Sequence, residues 1–463
     1  MDYDLIVVGS GPGGYVAAIR ASQLKMKVAV VEKAEIGGIC LNWGCIPTKS
    51  LLKSAQVFEY LNHAADYGIS VDGIIKPNFG SMVARSRAVA EQMSKGIQFL
   101  FKKNDITVIK GFGRLAGGTS VEVEEADGRR KIYSAKNLIL ATGARSKELP
   151  DLRQDGHKII GYREAMTLTE QPKSMVIVGS GAIGSEFADF YQTIGTAVTL
   201  VEFLPRVVPN EDDEVSKQLE RSFKKLNMNI MTSSVVESVE SSGGICKVNV
   251  KTPKGMEEVK ADIVFSAVGI APNIEDIGLE KAGVRTEKGK VAVDEYYRTS
   301  VQGVHAIGDI IPGPALAHVA SAEGIICVEK IAGLETQPLD YRNIPACTYT
   351  NPEIASVGLT EKMALDEGRE IKVGKFPFTA SGKANASGSR DGFVKLIFDA
   401  RYGEILGAHM IGANVTEMIS EIVVARKLET TGHELMKSVH PHPTMSEAIM
   451  EAAAAAYGEV IHI

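Results

Sequence analysis

The sequence predicts an α/β protein built on two dinucleotide-binding units of the Rossmann type. Three observations predict it. The stretch YDLIVVGSGPGGYVAAIRASQLKMKVAVVEK, from Tyr3, reads as strand, glycine turn, helix, strand, and SMVIVGSGAIGSEFADFYQTIGTAVTLVEF, from Ser174, repeats that order. Each copy carries G-x-G-x-x-G, at Gly9, Gly11 and Gly14 and again at Gly179, Gly181 and Gly184. Each ends its second strand in an acid, Glu32 or Glu202, 23 positions after the first glycine (32 − 9 and 202 − 179). A lone fingerprint is weak; two, each between the right strand and helix and each with its acid, form a strong signal.

The chemistry of such a site requires these residue types. Glycine permits the tight turn and lets backbone approach a pyrophosphate, which then rests on the helix N-terminus. The acid accepts hydrogen bonds from a ribose diol. The first copy has its buried strand at Leu5–Val8 and its second strand at Val28–Val31, ending in Glu32. In the second copy, Glu202 is followed by Phe203 and Leu204, and Arg206 is the one nearby cation. A carboxylate there repels a 2′-phosphate, which usually recruits arginine, so NAD is expected over NADP. A chain with two dinucleotide sites is expected to move electrons between cofactors or on to another group.

Length and composition bound the rest. The 463 residues suggest about three domains, or one large discontinuous arrangement, at roughly 150 residues each. Hydrophobic residues make up 44% and charged residues 23%, as in a cored globular protein. The formal net charge is −6 and there is no basic run, so neither nucleic acid nor anionic membrane is an expected partner. No apolar stretch approaches the ~18 residues of a membrane span. The opening MDYDLIVVGSG enters a strand at once, without a leader, which suggests a cytoplasmic chain, or a mitochondrial matrix one already processed.

Two of the five cysteines, Cys40 and Cys45, stand in GGICLNWGCIPTK with four residues between them. A structural zinc site needs four ligands, and the nearest following histidine, His63, lies in a separate amphipathic stretch, so no metal is expected. A structural staple is not needed in a chain this long. A redox pair fits better. The short loop strains a disulfide and eases its reduction. Pro47 suits the first turn of a helix, whose N-terminus lowers the pKa of a nearby thiol, and Lys49 adds positive charge. Cys246, Cys327 and Cys347 are expected as reduced core residues.

Two further strands, in Asn137–Ala144 and Gly303–Ile310, end in small or acidic turns suited to running under a large ring system. Asp309 stands at the end of the second. Near the C-terminus, SVHPHPTMSEAIMEAAAAAYG places a proline after His440 and after His442, with Glu447 on the first turns of an Ala-rich helix. The prolines fix an extended approach. A histidine held this way, with a carboxylate five residues on, suits a general base for a thiol reaction centre.

Taken together, GGICLNWGCIPTK, ATGAR, GSGAIGSEFA, VGIAPN, AIGDI, LAHVASAEG, YTNPEIASVGLTE and HPHPTMSE resemble the flavoprotein disulfide reductases over almost the whole chain. The resemblance implies an FAD domain (1–145), an NAD domain (146–272), a central domain that completes the FAD site (273–341) and an α+β dimerisation domain (342–463). It implies that Gly9, Gly11, Gly14, Glu32, Lys49, Gly113, Thr142, Gly143, Asp309 and Ala317 serve FAD. Gly179, Gly181, Gly184, Glu186, Glu202, Val235 and Gly269 would serve NAD, with Glu186 near the nicotinamide and Lys49. Cys45 would be the thiol on the flavin face and Cys40 the one facing substrate. His442, with Glu447, would be the acid–base of the partner subunit's site in a homodimer.

Within the family the closest pattern is that of the members that oxidise a protein-bound dihydrolipoyl group with NAD, in 2-oxo acid dehydrogenase or glycine cleavage complexes. No lipoyl domain is evident at the N-terminus, so the lipoyl group is expected on an acyltransferase or carrier protein. Members that use NADP sit badly with Glu202, and those with a further C-terminal thiol pair with the ending GEVIHI. Two departures stand out. Ile270 and Ala271 replace the arginines of the family's VGRRPN, and Trp43, the only tryptophan, occupies the cysteine loop where smaller residues are usual.

Overall fold

Residues 1–463 are described by a computed structural model. The chain forms two compact units, each assembled from separated segments. The first takes residues 1–50, 81–147 and 270–339; the second takes 51–80, 148–269 and 340–463.

The first unit is organised by a parallel sheet. Strand Tyr3–Val8 lies between Val28–Glu32 and Arg130–Leu140, with Thr107–Lys110 beyond the former and Val304–Ala306 beyond the latter. Its strands are near-continuous runs of Val, Ile and Leu because a parallel sheet is covered on both faces. Leu5, Ile6, Val7, Val30, Leu138 and Ile139 are all fully buried. The early part of Arg130–Leu140 also pairs antiparallel with Ser120–Glu124, which pairs with Phe112–Gly117. Helices Pro12–Gln23 and Ala317–Ile331 pack together closely. A Cβ on Gly324 would stand 2.8 Å from the Gly13 carbonyl oxygen.

The second unit repeats the parallel design. Strand Ser174–Val178 lies between Ala197–Val201 and Ile263–Ser266, flanked by Asn229–Met231 and Ile159–Ile160. An antiparallel meander follows, Val235–Ser242, Ile245–Thr252 and Gly255–Ala261. The unit also contains a five-stranded antiparallel sheet in the order Ala346–Thr348, Glu353–Gly358, Ile405–Gly412, Phe393–Asp399, Ile371–Pro377. Helices Val415–Lys427 and Glu447–Ala456 contribute Ile419, Ile422, Ile449 and Ala452 to the core it shares with Phe376, Leu396 and Met410.

The repeat extends to hydrogen bonds. Gly9 donates to the Val31 carbonyl and Gly179 to the Val201 carbonyl, both at 2.8 Å. Ala141 and Ala267 donate at the same distance to Val8 and Val178. Cys246 and Cys327 are buried, as their apolar contexts predict, while Cys347 is only partly so. No helix is long and apolar enough to cross a membrane.

Candidate active site

Both glycine loops are built alike, and each carries its acid in the same setting. Glu32 accepts from the Ser10 backbone N–H (2.9 Å) and hydroxyl (2.6 Å) through Oε2, and from the Ala34 N–H (2.8 Å) through Oε1. Glu202 accepts from the Ser180 N–H (2.8 Å) and hydroxyl (2.7 Å), and from the Leu204 N–H (2.8 Å). The serine between the first two glycines therefore fixes the acid at the strand end. Arg206 is engaged by Asp213 and by the Pro209 carbonyl. It is thus an occupied cation rather than a waiting phosphate partner.

The glycines divide by cause. Gly9 (φ +104°) and Gly179 (φ +99°) are required by the protein itself, since a Cβ would lie 2.2 Å from the Ala141 oxygen and 2.4 Å from the Ala267 oxygen. Gly11 and Gly181 cap the helices Pro12–Gln23 and Ala182–Thr193, and a Cβ at either would meet no protein atom within 4 Å. That open space at a helix N-terminus fits a pyrophosphate, to which the first-turn N–H groups donate.

The other expected FAD residues all fall in the first unit. The Thr142 hydroxyl donates to the Asn273 carbonyl (2.6 Å), and Asn273 returns a bond from its amide to the Thr142 carbonyl (3.0 Å). Gly143 has φ +67° and accepts from the Asn273 N–H. Gly113 sits in the strand Phe112–Gly117 against Val8 and Val31, and Ala317 opens its helix. Asp309 stands in the short 3-10 turn Gly308–Ile310, just past its strand, and burial raises its carboxyl pKa against the pull of Lys290. Such a group suits a ligand hydroxyl.

The expected NAD residues all fall in the second unit. Gly269 has φ +107° and open space where a Cβ would be. Val235 is exposed at the start of its strand. Glu186 is buried and accepts from the Tyr349 N–H (3.0 Å), while Asp189, one turn on, accepts from the Asn351 N–H (3.1 Å). Ile270 and Ala271 form part of a short strand paired with Ala144–Ser146, beside an ion pair between Arg145 and Glu275.

The cysteine pair lies on two consecutive helices. Cys40 is in Gly38–Asn42, and Cys45 is the first residue of Cys45–Asn62, so the second sulfur takes the helix N-terminus. Pro47 falls within that first turn. Both cysteines are free thiols. The Cys40 thiol is pushed far up, first by its hydrogen bond to Cys45, then by burial and the Cys45 charge, with Lys49 opposing. The two sulfurs are thus hydrogen-bonded to each other, with Lys49 close enough to act on the pair. Trp43 is accommodated because the Arg87 guanidinium lies 4.0 Å over its ring and donates to the neighbouring Asn42 carbonyl.

In the second unit, His442 Nδ1 meets Glu447 Oε1 at 2.8 Å. The other carboxylate oxygen accepts from the Thr444 N–H (2.7 Å), and the Thr444 hydroxyl donates to the Pro441 carbonyl. Burial pushes Glu447 up, but the Thr444 and His442 bonds outweigh it and hold its carboxyl below the usual range. The imidazole is 78% exposed, leaving Nε2 open to a substrate.

Comparison with known proteins gives this geometry its family. Residues 3–324 match the pyridine nucleotide-disulphide oxidoreductase description, and 344–453 match its dimerisation domain. The chain belongs to the pyridine nucleotide-disulphide oxidoreductase family. Its C-terminal sheet and helices are the dimerisation domain of that family. It is 48% identical to dihydrolipoyl dehydrogenase of Rhizobium etli and 48% identical to that of Zymomonas mobilis, in each case over 99% of both chains. It is 44% identical to dihydrolipoyl dehydrogenase of Mycobacterium tuberculosis over 99% of both. The solved structure of LpdA from Mycobacterium tuberculosis is similar with a TM-score of 0.90 at 29% identity, covering 97% of this chain and 98% of that one.

Several members of the site were not singled out from sequence. Ser10 and Ser180 read as ordinary turn residues between glycines, and only their duplication signals a role. Tyr15 carries a raised pKa from burial and from the nearby Cys40 and Cys45. Arg87 reaches Trp43 across 44 positions (87 − 43), and no local pattern announces it.

Proposed function

We propose that this chain is a dihydrolipoyl dehydrogenase, oxidising a protein-borne dihydrolipoyl group through a Cys40–Cys45 disulfide and reducing NAD. Its cofactors are FAD and NAD. FAD is held by the first glycine loop with Glu32, by Lys49, Gly113, Thr142 and Gly143, and by Asp309 and Ala317 of the central segment. NAD is held by the second loop with Glu186, Glu202, Val235 and Gly269. The corresponding domains are 1–145, 146–272, 273–341 and 342–463. The observation that carries the reading is the thiol pair itself, with Cys45 at a helix start and Cys40 hydrogen-bonded to it. The named activity of the relatives supports it.

The chemistry follows from these residues. His442 of one subunit takes the proton from a dihydrolipoyl thiol at the cysteine pair of its partner. The thiolate attacks Cys40 Sγ and breaks the Cys40–Cys45 bond, releasing Cys45 as thiolate. The second lipoyl thiol gives up its proton and displaces Cys40 from the mixed disulfide. The products are the lipoyl disulfide and the reduced pair. Glu447 holds His442 in orientation and balances the imidazolium. Bound FAD supplies the two-electron relay from the reduced cysteine pair to NAD. The carrier is an acyltransferase or small lipoyl protein, and the homodimer works in the cytoplasm.

Substituting Cys45→Ser tests the assignment. Reduced wild-type protein is expected to show a long-wavelength thiolate–flavin band, and the variant to lose it while keeping bound flavin. A full band in the variant would refute the role of Cys45.

A further inference from the structure

Two residues before the base stands a second histidine that the reaction above does not use. His440 Nε2 lies 2.8 Å from Glu421 Oε1, and Nδ1 lies 3.0 Å from the Ser438 carbonyl oxygen. Both partners only accept hydrogen bonds. A neutral imidazole has one donor and one acceptor nitrogen, so it satisfies one of these contacts and sets a lone pair against the other; the imidazolium donates to both. The side chain is 7% exposed, unlike that of His442.

We propose that His440 is a fixed imidazolium, a positioning residue that pins the 438–444 segment to helix Val415–Lys427 and whose charge keeps the His442–Glu447 pair ready to accept a proton. The proposal deepens the base reading for His442 and rests on it. The charged groups facing His440 are Glu421, from helix Val415–Lys427, and Glu447, from helix Glu447–Ala456. The Glu421 hydrogen bond raises the His440 pKa, burial opposes it, and the Ser438 bond and the charges of Glu421 and Glu447 add to the rise. In return, the His440 charge is among the influences that hold Glu447 ionised.

The segment geometry gives this consequence. Ser438 caps the end of the helix Gly432–Lys437 by donating its hydroxyl to the Glu434 carbonyl. His440 then ties that residue's own carbonyl to helix Val415–Lys427, and Thr444 ties the far end of the turn to Glu447. The base is thus carried on a short span fastened at both ends, and one fastening is ionic.

The test compares His440→Gln with His440→Arg in the full-length holoenzyme. Dithiol turnover is measured from pH 5.5 to 9, with bound flavin, dimer mass and NADH oxidation by an artificial acceptor as fold controls. Loss of the cation in His440→Gln removes one of the influences that hold Glu447 ionised and is expected to move the acid limb of the profile to higher pH. His440→Arg keeps a cation with donors for both partners and is expected to bring the limb back. Histidine ring 15N spectra of the wild type, with the His440 signals assigned by their absence from the arginine variant, are expected to show both nitrogens protonated at pH 7.5. A neutral ring at that pH overturns the proposal even if the glutamine variant fails to fold. An unmoved limb in His440→Gln, or the same shift in both variants, also overturns it. His442→Gln separates the two readings. Turnover surviving in that variant removes the base itself, whereas its loss together with an unmoved limb in His440→Gln removes only the role of His440.

Discussion

Gly9 and Gly11 stand two residues apart and are glycine for different reasons. The first has φ +104° and no room for a Cβ; the second has ordinary φ and open space in front of a helix N-terminus. Gly9→Ala is expected to destabilise the protein with or without cofactor, by about 1–3 kcal/mol or more for the strained backbone. Gly11→Ala is expected to leave the unfolding midpoint of the apoprotein unchanged while lowering flavin affinity. Equal thermal shifts in the two apoproteins would contradict that division. At this scale the sequence showed what local spacing encodes: the fingerprints, Cys40 and Cys45, and the His442–Glu447 step. It hid what depends on a distant partner. Glu421 lies 19 positions before His440 and on another helix, so His440 read only as a neighbour of the base.

The helix Asp213–Lys225 shows how elements are fastened by groups that no motif announces. Its cap, Asp212, accepts from the Glu214 N–H and from Lys395, a lysine whose side chain is 2% exposed in the strand Phe393–Asp399. Lys395 also meets Glu214 (2.9 Å) and Glu361 (2.6 Å). A lysine inside FVKLIFD reads as an outward-facing strand residue, and its partners lie far away in the chain, so this cluster was not legible. Glu211 beside it is pushed up to about 7, chiefly by burial, with Ser356 pulling down and Asp212 adding to the rise. An ordinary glutamate titrates near ~4.3. Between these values the folded chain holds a proton that the unfolded chain has released. Stability from this group therefore falls as pH rises through that window, and the full cost stands above pH 7. Glu211→Gln is expected to gain roughly 1–3 kcal/mol at pH 8 relative to its effect at pH 4.5, read from denaturant midpoints. A gain larger at pH 4.5 would contradict it.

In the whole molecule, the expected FAD residues fall in one compact unit and the expected NAD residues in the other. That duplication was legible because both copies keep the same strand–turn–helix order and the same acid spacing. The antiparallel C-terminal sheet was not legible from spacing, since it carries no nucleotide fingerprint; its place came from the family resemblance and from the dimerisation-domain match. A shared site predicts complementation. In a heterodimer of Cys40→Ser with His442→Gln, one site carries both defects and the other neither, so up to about half the wild-type activity is expected. Inactive heterodimers would place base and disulfide in the same subunit. The most direct measurement of the central claim is simpler: NADH formation by the purified holoenzyme from dihydrolipoamide and NAD, set against NADPH consumption with glutathione disulfide. The account predicts rapid NADH formation, sensitive to loss of either Cys40 or Cys45, and no appreciable reaction with glutathione disulfide and NADPH. Absence of NADH formation, or faster turnover with glutathione disulfide and NADPH, would contradict it.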